Sequence, residues 1–65
     1  MRSRSKPNEI EELLTVAEVA RIDRTTPKTV RRWIDEGKLG AYRLGGQFRI
    51  SPKDHELFLR ERWTG

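Results

Sequence analysis

The chain has 65 residues, with 14 Lys or Arg against 10 Asp or Glu for a net charge of +4, no cysteine and a single histidine. A chain this short permits one domain, whose folding buries only about 60% of the surface exposed by the unfolded form. Disulfides and thiolate metal sites are excluded, a lone His55 cannot build a zinc centre, and no apolar run approaches the ~18 residues of a membrane span, so the expectation is no cofactor, no membrane and an anionic partner.

Residues 1–12 read as a flexible N-terminal arm. Arg2, Arg4 and Lys6 stand among Ser, Pro and Asn without apolar periodicity, which suits either extra phosphate contacts or a solubilising tail. The arm lacks the apolar core of a signal peptide, so the chain is expected in the cytoplasm. Residues 13–65 then form the folded domain. Thr15 and Glu18 make a capping box, with Leu14 and Val19 placed as its hydrophobic staple. The spacing predicts a helix over 16–22 with Val16, Val19 and Ala20 towards the core. Asp23-Arg24-Thr25 connects it to the next element.

The second helix is the most fully punctuated segment. Thr26 is an N-cap, Pro27 sits where its missing N–H costs nothing, and Gly37 supplies a left-handed stop. The intervening rod is roughly 15 Å long. Val30, Trp33 and Ile34 share one face, and Lys28, Arg31, Arg32 and Asp35 the other. Two short helices joined by a tight turn, the second one basic, form a helix-turn-helix.

Beyond Gly37 the pattern becomes extended. The runs 41–44 and 48–50, separated by Gly45-Gly46-Gln47, predict a β-hairpin. In that reading Tyr42, Leu44, Phe48 and Ile50 pack on the helices while Arg43 and Arg49 point outward, making a wing. Ser51-Pro52-Lys53-Asp54 opens a last helix reaching about Arg62. Leu57, Phe58 and Trp63 are its candidate core or interface residues, and His55 reads as an exposed histidine of its first turn. The expected fold is therefore mostly α with a small β-hairpin: a winged helix-turn-helix of two short helices, a wing and a C-terminal helix.

Nothing in the chain assembles a nucleophile, a base and an orienting group, so an enzyme is not expected. Gly45-Gly46 lacks a following Lys-Ser or Lys-Thr and is not a nucleotide-gripping loop. Charge distribution is more telling. Residues 24–49 hold seven cations against two carboxylates, a net +5 that exceeds the whole chain, while 9–18 is acidic. That asymmetry suits nucleic acid. Arg31 and Arg32 can reach base edges, and Lys28 and Thr29 lie at a helix N-terminus that attracts phosphate. Gln47 and Arg49 can enter the adjacent minor groove or hold its phosphates. Arg43 serves equally as a phosphate contact or as a solvated strand residue, and Arg24 and Lys38 are possible further phosphate contacts. Thr29 has a packing role as its alternative. Trp33 continues the Val30 seam and reads as core.

The segments Leu-Leu-Thr-Val-Ala-Glu-Val-Ala-Arg (13–21), Pro-Lys-Thr-Val-Arg-Arg-Trp-Ile (27–34), Glu-Gly-Lys-Leu (36–39) and Tyr-Arg-Leu-Gly-Gly with Phe-Arg-Ile resemble the MerR-like winged-helix proteins. Among them the chain is most similar to the small excisionase-type domains, also called recombination directionality factors. The turn departs from the family pattern: Arg24 and Thr25 replace a glycine and an apolar residue, which puts the angle between the two helices in question. The resemblance implies an architectural double-stranded DNA binder of a phage or mobile element, acting in a bacterial cell or infected host. Such proteins bind neighbouring sites, bend the DNA and favour excision by an integrase; with no dimerising helix read after Trp63, copies are expected to assemble head to tail along the DNA. A small MerR-like transcriptional regulator is the alternative, disfavoured because no dimerising helix follows Trp63. A protein-interaction module built on Leu57, Phe58 and Trp63 is the third reading.

Overall fold

Every helix among the described residues starts at a side chain that satisfies one of its first free N–H groups. The computed structural model describes residues 12–65; the arm expected over 1–12 lies outside them except for Glu12. The elements run β1 (Leu14–Thr15), α1 (Val16–Ile22), α2 (Pro27–Asp35), β2 (Tyr42–Leu44), β3 (Gln47–Ile50) and α3 (Pro52–Glu61). Thr15 Oγ1 accepts from the Glu18 N–H at 3.0 Å, Thr26 Oγ1 from Thr29 at 3.2 Å, and Ser51 Oγ from Asp54 at 3.0 Å. Glu18 returns the contact by accepting from the Thr15 N–H at 2.9 Å, completing the capping box. Each cap contributes about 1 kcal/mol, a large share for so small a domain.

The two helices of the helix-turn-helix end in the same manner. After α1 the Thr25 N–H donates to Ala20 O at 2.8 Å and the Arg24 N–H to Arg21 O at 3.2 Å. After α2 the Lys38 N–H reaches Trp33 O at 2.9 Å and the Gly37 N–H reaches Ile34 O at 3.0 Å. Both are Schellman motifs, which require a left-handed residue at the turn. Gly37 takes it at φ 76, and Arg24 takes it at φ 57. The turn thus keeps its tight geometry without the glycine, with Arg24 carrying the strain.

The hairpin departs from expectation in register. Its loop is two residues, not three: Gly45 and Gly46 both have positive φ, 58 and 80, as a type I′ turn demands. Gln47 consequently begins β3. Tyr42 pairs with Arg49, Arg43 with Phe48 and Leu44 with Gln47. Directly paired residues share a face, and a one-residue slip exchanges the faces of a strand. Arg43 and Arg49 therefore lie on opposite faces of the wing, and Tyr42 and Leu44 are half exposed instead of packed on the helices. A further strand joins the hairpin: β1 pairs antiparallel with β3, Leu14 against Ile50 and Thr15 against Arg49, giving the order β1-β3-β2. A two-residue strand has no periodicity to announce it.

The core comprises Val19, Ala20, Val30, Leu39, Ile50 and Phe58, with Leu14, Val16, Trp33, Ile34 and Ala41 packed around it. Burying a side chain of the size of Val, Ile or Phe contributes about 1.5–3 kcal/mol. Trp33 stacks on Phe58 with ring centroids 4.7 Å apart, joining α2 to α3. His55 is not exposed, as expected from sequence, but buried at 7% exposure. Its Nε2 lies 2.8 and 2.9 Å from the two carboxylate oxygens of Asp23, a partner 32 residues away that local reading cannot reveal. That pair ties the first turn of α3 to the turn that aims α2.

Candidate nucleic-acid interface

The apolar seam of α2 faces the core through Val30 and leaves its cationic side outward. Lys28, Arg31 and Arg32 are exposed, and together with Asp35 they line a shallow concavity of about 320 Å³. None of the three is ion-paired with a carboxylate among the described residues. Thr29 is half-buried, and its hydroxyl oxygen accepts from Thr26 Oγ1 at 3.1 Å, so it supports the cap as well as the surface.

A second depression, about 420 Å³, connects α2 to the wing. It is lined by residues 15–17 at the start of α1, by Arg31, and by Gly46, Gln47, Phe48 and Arg49. Arg31 borders both concavities, so the surface runs unbroken from the outer face of α2 to β3. Arg49 is half-buried there, its Nη1 donating to Phe48 O at 3.1 Å. Gln47 is exposed beside it.

The remaining candidates stand apart from these two depressions. Arg43 lies over the Phe48 ring, 5.0 Å from its centroid, on the opposite side of the hairpin from Arg49. Lys38 is engaged with Glu36 Oε1 at 3.2 Å, with about half of its side chain exposed. Arg24 is exposed at the left-handed turn. Residues 15–17 were not anticipated from sequence. The capping box announces where α1 begins, but only the β1–β3 pairing brings that start beside the wing.

The surface is rich in donors and positive charge. Among the described residues, no group of three or more His, Asp or Glu could hold a metal ion. No helix of the described residues is long and apolar enough to cross a membrane. The arrangement suits an extended anion carrying many acceptors.

Two relatives in Mycobacterium tuberculosis, from strains CDC 1551/Oshkosh and H37Rv, each bear the name "Putative DNA-binding protein". Each is 48% identical to the chain over 42 residues, covering 65% of this chain and 54% of the relative. The chain thus spans about half the length of the curated relatives it matches. No solved structure matches it significantly. The family described as "Helix-turn-helix domain" matches residues 13–62, from just before β1 to just after α3. With that match covering most of its length and the wing in place, the chain belongs to this helix-turn-helix family.

Proposed function

We propose that the chain binds double-stranded DNA by laying α2 in the major groove while the wing reaches the flanking minor groove. The outer face of α2 carries this reading: three exposed cations, unpaired among the described residues, on a capped rod that a major groove admits. Arg31 and Arg32 read base edges, with guanine O6 and N7 the favoured acceptors. Lys28 and Thr29 hold a phosphate at the N-terminus of α2, where free N–H groups and the helix dipole favour an anion. Arg43, Gln47 and Arg49 act from the wing, and Arg24 and Lys38 add phosphate contacts at the rim.

The role is architectural, of the excisionase kind. Neighbouring copies bind head to tail, bend the DNA and direct excision by an integrase. The energetics support several copies over one. A single module buries about 600–1,000 Å² on DNA. With about five cations on phosphates, log affinity falls against log salt with a slope near −4.5, so a lone copy grips weakly at physiological salt. Adjacent copies in contact raise the effective concentration of each.

A gel-shift and bending assay on the DNA flanking the protein's own gene tests this. Stepwise shifts with a progressive bend are expected. One promoter-centred shift without a bend would instead assign a MerR-like regulator. No shift on any duplex would overturn DNA binding and favour a protein-interaction module, for which Leu57 and Trp63 are exposed at 52% and 77%.

A further inference from the structure

Asp35 is a carboxylate set in the middle of a cationic surface. It is exposed and lines the outer concavity of α2 together with Lys28, Arg31 and Arg32. At about 100° of rotation per residue, it falls between Arg31 and Arg32 on the helical wheel, and two turns beyond Lys28 on the same line. Whatever α2 faces, Asp35 faces as well.

Local chemistry gives no reason for an acid at this position. Asp35 is the last residue of α2, where the negative end of the helix dipole disfavours a carboxylate. Aspartate is also a poor helix former. Arg31 and Arg32 precede it by four and three residues, the spacings at which helical ion pairs form. Neither bridges it among the described residues, and Lys38 is engaged with Glu36 instead. An anion on the surface that meets DNA also repels phosphate. Conflicts of this kind between a residue and its surroundings concentrate at functional sites.

The major groove offers one base that such a group suits. Cytosine presents its N4 amino group there as a donor, and a carboxylate only accepts. Guanine O6 and N7 and thymine O4 are acceptors and repel it, and adenine sets its N7 acceptor beside its N6 donor. We propose that Asp35 determines specificity: its carboxylate accepts a hydrogen bond from cytosine N4 in the major groove, beside the guanine read by Arg31 or Arg32, and disfavours sequences that offer an acceptor there. The assignment rests on the DNA reading above and adds to it a residue that lowers general affinity while raising discrimination. The guanidiniums attract any duplex; the carboxylate admits few.

The test is fluorescence anisotropy with the full chain at fixed salt. The duplexes are the site it protects in the DNA flanking its own gene, every single-pair variant of that site, and a scrambled sequence. Among the C·G pairs whose replacement weakens wild-type binding, about 5–150-fold each, one is expected to lose most of its penalty in Asp35→Ala. The same variant is expected to bind the scrambled duplex about 2–5-fold more tightly, as for removal of one exposed charge interaction. Asp35→Asn should shift the preference at that pair towards adenine, whose N6 and N7 match an amide. Circular dichroism melts of both variants should match or exceed the wild type, because an acid leaves a helix C-terminus. Uniform tightening of Asp35→Ala on every duplex, with all single-pair penalties kept, overturns the proposal and makes Asp35 a moderator of charge. Unchanged binding throughout overturns it as well. In both cases a loss of discrimination in Arg32→Ala leaves α2 on the DNA. A wild-type chain that binds no duplex overturns the DNA reading beneath it.

Discussion

Removing Asp23 should destabilise the domain through His55, a residue 32 positions away. The Asp23 carboxylate receives the His55 ring at 2.8 and 2.9 Å, and both side chains are 9% exposed. In Asp23→Ala the His55 Nε2 stays buried without a partner, which costs about 1–3 kcal/mol. A domain of 65 residues is stable by only roughly 3–10 kcal/mol. A loss of about 2 kcal/mol lowers Tm by about 8–16 °C, given roughly 4–8 °C per kcal/mol in domains this small. His55→Ala removes a buried ring of α3 and leaves the Asp23 carboxylate without its partner, and should cost at least as much. The double variant should cost less than the two singles together, with a coupling of about 1–3 kcal/mol. Urea and thermal unfolding followed by circular dichroism measure all three. Additive losses would refute the reasoning, because they would mean that the two groups contribute independently.

The backbone supplies two further predictions. Arg24→Gly relieves a left-handed arginine at a strain of about 1–2 kcal/mol, partly offset by the greater chain entropy of glycine, so the urea midpoint should rise; a lower midpoint would argue against the φ of 57. Gly46→Ala meets no neighbour within 4 Å, so only its φ of +80 resists, and the domain should lose about 1–2 kcal/mol with the wing amides exchanging faster; unchanged exchange would argue against the type I′ turn.

Much of this fold is written in short-range chemistry. Thr15 with Glu18, Thr26 with Pro27, and Ser51 with Pro52 mark three helix starts, because a cap and its target are three residues apart. The seam of Val30, Trp33 and Ile34 likewise fixes which side of α2 faces outward. What sequence left open depends on distance or on a single residue of register. Gly45-Gly46-Gln47 contains the hairpin turn, yet whether Gln47 belongs to turn or strand decides the face of Arg43 and Arg49. The Asp23–His55 pair and the two-residue β1 arise only when the chain closes on itself. Leu39 is buried at 1% exposure in a connection without periodicity, so nothing local marked it as core. The candidate site was legible as a basic helix with a wing, but its continuity through Arg31 required the tertiary fold.

That α2 reads DNA is tested most directly by comparing wild type and Arg32→Ala on a target duplex and on a scrambled one at matched salt. Loss of discrimination by about 1–3 kcal/mol, with little change on the scrambled duplex, is the result expected of a side chain on a base edge. Equal weakening on both sequences would demote Arg32 to a phosphate contact. Unchanged binding to both would contradict the placement of α2 in the major groove.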